Sequence, residues 1–481
     1  MNTLSIAWIG LPFVVGFIIY LLPKLDRYLA FSMALASAGY AAWLFIDRSP
    51  LTLQLLDNFG VTLVIDELSG YFILTNAIVT AAVILYCWQS GKTAFFYAQA
   101  IILHGSINAA FVCADFISLY VALEVSGIAA FLLIAYPRSD RSIWVALRYL
   151  FVSNTAMLFY LVGAVLAYQT NHSFGFAALR GAPPEALALI FLGLLIKGGI
   201  FVSGLWLPLT HSESETPVSA MLSGVVVKAG VYPLVRCALT LEEVDPIVRI
   251  FGVGTALLGV SYAVFEKDTK RMLAFHTVSQ LGFILAAPEV GGFYALTHGL
   301  VKSALFLIAG ALPSRNFKEL QQNPMSTPIW IALVMASFSI SGFPMLSGFG
   351  AKVLTMKNLL PWQVIGMNVA ALGTAISFAK FIFLPHKQEG QGSIKPGFWS
   401  AVILLIGGLI VANVVYYEAY TIENIAKPLA IIAIGWLAYL LIFKRTVIKL
   451  PRVLEQFDHQ IGMMSLMLIL LFWMVFDISI N

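Results

Sequence analysis

Apolar residues in this chain come in long runs, separated at short intervals by clusters of charged and turn-forming residues. About twenty apolar residues in helical form cross a bilayer. Runs of that kind lie near residues 4–22, 28–46, 68–88, 94–113, 116–136, 143–168, 184–206, 217–238, 246–265, 271–287, 291–313, 327–357, 362–385, 397–417, 427–443 and 460–479. The pattern predicts an all-α polytopic membrane protein with about 14–16 transmembrane helices. One segment has a different period. In residues 51–65, "LTLQLL" and "VTLVI" flank "DNFG", where Asp57, Asn58 and Gly60 bring turn chemistry, and this predicts a short hairpin. The first run ends at Pro23 and Lys24 without a small-residue cleavage motif, so it reads as a span rather than a signal peptide.

Composition removes the soluble alternative. Of 481 residues, 60% are hydrophobic and 11% charged, with a mean hydropathy of +0.89. Soluble domains carry about twice that share of charge. Cys87, Cys113 and Cys237 each stand alone in an apolar run. With no CxxC and no Cys/His cluster, zinc and iron–sulfur sites are not expected. His104, His276 and His298 do not repeat on one helix at haem-ligand spacing. No cofactor or metal is therefore expected within the chain. The net charge of +4 comes largely from loops and does not suggest nucleic acid.

Charge does order the topology. Basic residues fall mostly in alternate loops: Lys24 and Arg27; Lys92; Arg138 and Arg141; Lys267, Lys270 and Arg271; Arg315 and Lys318; Lys387 and Lys395; Lys444, Arg445, Lys449 and Arg452. The loops between them are mostly acidic or nearly uncharged, with Arg48 an outnumbered exception. The positive-inside rule assigns the basic set to the cytoplasm and both termini to the other side. One missed or invented span would scramble this alternation.

Two runs are interrupted. In "LGLLIKGGIFVSGLWLPLTHSESETPVSAMLSGVVVKAG" (residues 192–230), Gly198, Gly199, Gly204 and Pro208 break the helix pattern. In "SISGFPMLSGFGAKVL" (339–354), Gly342, Pro344, Gly348 and Gly350 do the same. Breaks at membrane depth survive only where protein or water satisfies the freed backbone. Each broken run carries a lysine, Lys197 or Lys352. Each is followed by a run with another, Lys228 or Lys380, and preceded by one with Arg148 or Lys302. The two blocks lie five spans apart, and an odd offset means opposite orientation. This is the signature of inverted repeats around a transport path.

Glu124 lies mid-run in "FISLYVALEVSGIAAFLLIAY". An isolated intramembrane charge is costly and usually has a partner or a wet cavity. Burial disfavours charge on both a glutamate and a lysine, and pairing favours it on both. A Glu–Lys pair that opens and closes is thus a proton switch. The bland readings are a packing glutamate for Glu124 and snorkelling for Lys197, Lys228 and Lys352. His298 and Lys302 share a helix face. For His298 and still more for His276, which lies close to the basic loop, the alternative is a histidine bonded between helices. Lys380 reads as snorkelling at an inner end, and Arg148 is divided between the two roles. The set as a whole suggests a lateral chain of titratable sites. It suits protons better than sodium, which wants several oxygen ligands.

The chain resembles the antiporter-like subunits shared by Mrp-type cation/proton antiporters and the membrane arm of respiratory complex I. The resemblance rests on "LYVALEVSGIAAFLLIAY", the two broken stretches, "FEKDTKRMLAFHTVSQLGFILAA" and "ALTHGLVKSALFLIAGAL", over roughly residues 60–385. It implies two inverted five-helix repeats, spans 4–8 and 9–13, with spans 7 and 12 broken. The corresponding division is 1–93, 94–238, 239–385 and a C-terminal part, 386–481. It implies that Glu124 pairs with Lys197, that Lys228 relays onward, that His298 and Lys302 form a polar pair, and that Lys352 ends the path. One complex I subunit type has glutamate at this last position, so lysine looks more like the Mrp D-type or the other complex I types. Arg148 stands where many members have lysine, and Tyr294 where many have a further histidine. The serine-rich "LTHSESETPVSA" loop keeps His211 and Pro217. Two spans beyond the family's usual fourteen form an extension suited to docking a neighbouring subunit.

Three functions follow as expectations. The first is a proton-translocating subunit of an Mrp-type antiporter, coupling protons to a cation such as sodium. The second is a proton-pumping subunit of a complex I-like NAD(P)H-quinone oxidoreductase, whose redox site would belong to its partners. The third is a non-transporting scaffold, in which the intramembrane lysines tolerate Met or Leu. A stand-alone antiporter is a further option that the resemblance argues against. In each case the partners are lipid and, for the first two, other membrane subunits of an inner or other energy-transducing membrane.

Overall fold

The computed structural model describes residues 2–56, 60–388, 392, 394–445, 448 and 450–480. Asp57 and Asn58 of the predicted turn, and the basic Lys449, lie outside these residues. The helices are α1 Asn2–Leu21, α2 Asp26–Asp47, α3 Glu67–Cys87, α4 Ala94–Ala110, α5 Phe116–Ile134, α6 Asp140–Asn171, α7 Pro184–Gly198, α8 Leu207–Glu213, α9 Thr216–Met221 and α10 Lys228–Thr240. They continue as α11 Asp245–Phe265, α12 Thr269–Ala286, α13 Gly291–Ala309, α14 Phe317–Gln322, α15 Thr327–Ser341, α16 Ser347–Lys357, α17 Val364–Ile382, α18 Phe398–Val415, α19 Ile422–Ala438 and α20 Phe457–Ile480. The hairpin is present as β1 Leu51–Leu56 and β2 Gly60–Ile65, antiparallel, with Leu53 opposite Leu63.

Among the described residues, thirteen helical stretches are long and apolar enough to cross a membrane. The other predicted spans correspond to α4, α12 and the broken α15–α16, which are shorter or more polar. This is an integral, multi-pass, all-α membrane protein.

Local signals set the helix ends. Asp66, Asp115 and Asp268 cap α3, α5 and α12 through side-chain bonds to backbone amides three residues on. Proline sits in the first turn of α7, α8, α9, α11 and α15, where its missing N–H costs nothing. The broken spans stop alike. Gly199 (φ 70°) closes α7 and Gly342 (φ 83°) closes α15, both left-handed caps suited to glycine. A 3₁₀ stretch, Phe201–Trp206, joins α7 to α8, and a π-type turn, Leu222–Val226, joins α9 to α10.

Every residue of α12 and α13 is buried, so these helices form the centre. In contrast, α1, α19 and α20 show much of their apolar surface.

Ion pairs fasten both ends of the bundle. On the basic face, Lys92 binds Glu215 at 2.6 Å, Arg141 binds Glu213 at 3.2 Å, Arg315 binds Asp268 at 3.0 Å, and Arg271 binds Glu455 at 2.7 Å. On the opposite face, Arg236 binds Asp66 at 2.5 Å, and Arg249 holds Asp245 at 2.7 Å and also Glu289. Each of these pairs joins loops or helix ends that the predicted alternation puts on the same face. The span order is therefore consistent from both rims.

Two rim carboxylates give an expected pH response. Burial pushes Asp66 up, but the Arg236 guanidinium and the Ser69 amide and hydroxyl hold it below its ordinary value. Burial likewise raises Glu266, while Arg271, the Lys267 and Asp268 amides and Arg452 bring it lower overall. Depressed carboxylates stabilise the fold fully above their unfolded values, about pH 4. That contribution is lost as pH falls through the lower folded values. Thermal unfolding should therefore be insensitive to these groups from neutrality to about pH 5 and decline below about pH 4. Asp66→Asn should be less stable at neutral pH and show a flatter acid decline; an unchanged acid profile would refute this.

Candidate functional site

Lys197 occupies the last turn of α7, just before Gly199. Its ammonium donates to the Leu123 carbonyl at 3.0 Å and to Ser153 Oγ at 2.6 Å. Gly127 on α5 leaves it room, since a Cβ there would stand 2.9 Å from Lys197 Nζ. The expected Glu124–Lys197 ion pair is not formed. Among the described residues neither has an ion pair, and Glu124 Oε1 is buried without a hydrogen-bond partner. The reason is geometric: Lys197 is held by the backbone of the residue preceding Glu124 and by a hydroxyl of α6. The pair is open here.

Lys228 begins α10, directly after the π-type turn. That turn displaces the carbonyl ladder, and Lys228 folds back onto it, donating to Gly224 O at 2.5 Å and Ser223 O at 3.2 Å. A close packing of α13 follows. A Cβ on Gly299 would meet Thr75 and stand 2.9 Å from Gly224 O and 3.6 Å from Lys228 Cε. Gly299 thus lies against the Lys228 stem, and the Lys228 charge acts on both His298 and Lys302. Neither ring nitrogen of His298 is hydrogen-bonded. Lys302, one turn on, donates to the Leu273 carbonyl of α12 and lies 5.3 Å from the Phe306 ring centroid.

The other candidates flank these groups, and two lie in electrostatic reach of them: Lys302 acts on both His211 and His276, Lys228 on His211, and Lys352 on His276. His276 is deep in α12, fully buried, with its ring 4.7 Å from that of Phe378. The expectation that it is bonded between helices is corrected, because neither nitrogen has a partner and the contact is aromatic. His211 packs between Trp206 and Phe306, at 6.2 and 6.1 Å. Tyr294 donates to Gln280 Oε1 at 2.6 Å, and Gln280 reaches Thr374 at 3.4 Å, linking α13, α12 and α17. Lys380 donates to the carbonyls of Ala263 and Glu266 at the end of α11, as a lysine held at a span end would.

Lys352 lies in α16, beyond the second break. Its Nζ has no hydrogen-bond partner and sits 5.5 Å from the Phe283 ring centroid. The hydroxyls of Ser339, Ser341, Ser347 and Thr355 around this break are also buried without partners. Buried polar atoms are nearly always bonded to protein or water, so such a group marks a place where water belongs.

Arg148 belongs to another structure. It donates to the Glu455 carbonyl and stacks 5.6 Å from Trp144. The Glu455 carboxylate takes Arg271 with both oxygens, at 2.7 and 2.8 Å, and Phe457 packs 4.9 Å from Phe151. The extension expected to reach a neighbouring subunit thus has this anchor on its own chain.

Three clusters result: Glu124 with Lys197, Lys228 with His298 and Lys302, and Lys352 with its hydroxyls. Sequence reasoning missed Ser153, the Ser223–Thr277 bond of 2.7 Å, Gln280 and the hydroxyls around Lys352. Serines and threonines in otherwise apolar runs were the available signal. A contrast lies between α2, α3 and α4. There His104 is bonded to Ser37 (2.8 Å), Thr80 (3.2 Å) and Asn108 (3.1 Å), a satisfied network of structural character.

Comparison with known proteins agrees with this architecture. Residues 113–377 match the family described as NADH:quinone oxidoreductase/Mrp antiporter, TM. NADH-quinone oxidoreductase subunit N of Desulforudis audaxviator is 32% identical over 363 residues, covering 67% of this chain and 72% of that protein. The D-type subunit of the Na(+)/H(+) antiporter of Alkalihalophilus pseudofirmus is 27% identical, covering 73% and 80%. A chain in the solved structure of the Mrp complex from Dietzia sp. shares the fold, with a TM-score of 0.74 at 21% identity, covering 92% of this chain and 99% of that one. These relatives are subunits of larger membrane assemblies. With more than half of its length matched to the family and a relative above 30% identity, this chain belongs to the NADH:quinone oxidoreductase/Mrp antiporter membrane-subunit family.

Proposed function

We propose that the chain carries protons across the membrane as the D-type subunit of a multisubunit Mrp-type cation/proton antiporter. The observation that carries this reading is the row of three buried clusters, each with polar atoms that lack a protein partner. Two of the clusters stand at helix breaks. The relationship to the D-type subunit of a Na(+)/H(+) antiporter supports it.

In this reading the basic face is cytoplasmic, both termini lie opposite, and the units 94–238 and 239–385 are the inverted repeats. A proton enters near His211 and α8–α10 and reaches Lys197 or Lys228. Closing of the Glu124–Lys197 pair stabilises charge on Lys197, and opening releases the proton sideways. It passes through His298 and Lys302, with bridging water, toward Lys352. From there α16 leads to the non-cytoplasmic face, where a cleft of about 330 Å³ is lined by Glu67, Tyr71, Glu289 and Leu354. Arg148, His276, Tyr294 and Lys380 flank the route. Glu124 is the carboxylate of this series, so sodium would lack an oxygen cage along it.

The second reading, a proton-pumping subunit of a complex I-like oxidoreductase, is favoured by the 32% identity to the NADH-quinone oxidoreductase subunit. Mass spectrometry of the assembly purified through this chain separates the two. Company of antiporter subunits, with cation-driven proton flux in vesicles, supports the first. Co-purifying flavin and iron–sulfur subunits would replace it with the second.

A further inference from the structure

The basic face carries a cleft of about 240 Å³ between the ends of α11, α17 and α19 and the short helix α14. Four lysines line it, Lys267, Lys318, Lys380 and Lys444, and they come from four separate elements. The carboxylate in the wall, Glu266, does not neutralise them. Its oxygens accept from Arg271 (3.2 Å), Arg452 (3.3 Å) and the amides of Lys267 (2.8 Å) and Asp268 (3.2 Å). Lys380 is occupied by two backbone carbonyls. The ammonium groups of Lys267, Lys318 and Lys444 make no hydrogen bond or ion pair among the described residues. The remaining wall is largely aromatic, with Val264 and Gln321 beside the rings. Phe317 packs at a tilt against Phe381 at 5.1 Å, and Phe265 against Phe443 at 5.7 Å. Below Lys444, the side chains of Leu437, Leu441 and Ile442 are exposed along the span.

A polar anion site open to solution needs the first of these features only. Here unpaired ammonium groups at the height of the loops sit directly above aromatic rings and an exposed aliphatic surface. That vertical order matches a phospholipid, with its phosphate among the lysines and its acyl chains against α19. We propose that this cleft binds an anionic phospholipid through its headgroup phosphate. The assignment does not depend on the proton pathway.

The test uses the purified, delipidated assembly with wild-type chain, with Lys267→Gln/Lys318→Gln/Lys444→Gln, and with the corresponding triple arginine replacement. Each is titrated with phosphatidylglycerol or phosphatidylcholine in detergent micelles, and bound lipid is read by native mass spectrometry. Wild type should take phosphatidylglycerol in preference to phosphatidylcholine. Each lysine near an anionic surface contributes about fivefold in affinity, so the glutamine variant should bind about a hundredfold more weakly. The arginine variant should retain binding, which guards against a mere folding defect. Equal phosphatidylglycerol binding by wild type and the glutamine variant overturns the proposal. So does displacement of the lipid by inorganic phosphate at equal concentration, which would make the cleft a free-anion site. Wild type that takes no phosphatidylglycerol, with Lys444 cross-linking to an acidic segment of another subunit, overturns it as well.

Discussion

Lys197→Met should abolish cation-driven proton flux in vesicles carrying the whole assembly while leaving the assembly intact. Methionine keeps most of the length of the side chain and removes the proton-carrying group. The losses to the fold are two hydrogen bonds, to Leu123 O and Ser153 Oγ, at about 1 kcal/mol each. Against them stands relief from burying an ammonium without a counter-ion. The two effects oppose each other, so the amount of assembled protein should change little. Flux should not survive, because a positioned proton-transfer group contributes about a hundredfold or more. Glu124→Gln should lower flux in the same direction, since it removes the charge that the closed pair requires. Lys427→Gln, on an exposed helical turn where Lys427 meets Glu423 at 2.7 Å, is the matched control and should leave flux unchanged. The readout is a pH-sensitive dye in everted vesicles, normalised to assembled complex. Undiminished flux in Lys197→Met would support a non-transporting scaffold.

Gly230→Val should have a large effect on the fold. A Cβ at Gly230 would stand 2.7 Å from Gly198 Cα and 2.9 Å from the Lys197 carbonyl carbon. These are backbone atoms at the broken end of α7, so no rotamer change relieves the clash. Overpacking of this kind costs about 1–3 kcal/mol, and valine adds two further methyl groups. The assembly should form poorly or melt well below wild type. Gly10→Ala, where a Cβ meets nothing within 4 Å, should behave as wild type in the same melting experiment. Equal melting of Gly230→Val and wild type would contradict the close approach of α7 and α10.

What could be read from the sequence followed from local physics. Run length and the alternation of basic loops place the spans, because the bilayer imposes both. Gly199 and Gly342 announce the breaks, because few other residues adopt a left-handed cap. Lysines inside apolar runs announce themselves by cost. Long-range partnership was not legible in this way. Nothing near Lys197 signals Ser153, and nothing near Arg271 signals Glu455, because those contacts arise only when distant helices pack. The π-type turn at Leu222–Val226 was equally hidden, since its residues are ordinary helix formers apart from Gly224. The open arrangement of Glu124 and Lys197 was hidden for the same reason. Two opposite charges on neighbouring spans suggest contact, and only packing decides that Leu123 O is reached first.

The two rims of ion pairs bear on how the molecule can move. On the basic face Arg315, after α13, also meets Glu213 of α8 at 3.7 Å and so ties the two broken-helix blocks together, whereas the opposite face ties Arg236 of α10 to Asp66 ahead of α3 and Arg249 of α11 to Glu289 ahead of α13. The bundle's freedom lies at mid-height, where helices are interrupted and polar atoms lack protein partners. Any cycle of work in this chain is therefore expected to begin as small rearrangements at mid-height rather than at its tied ends.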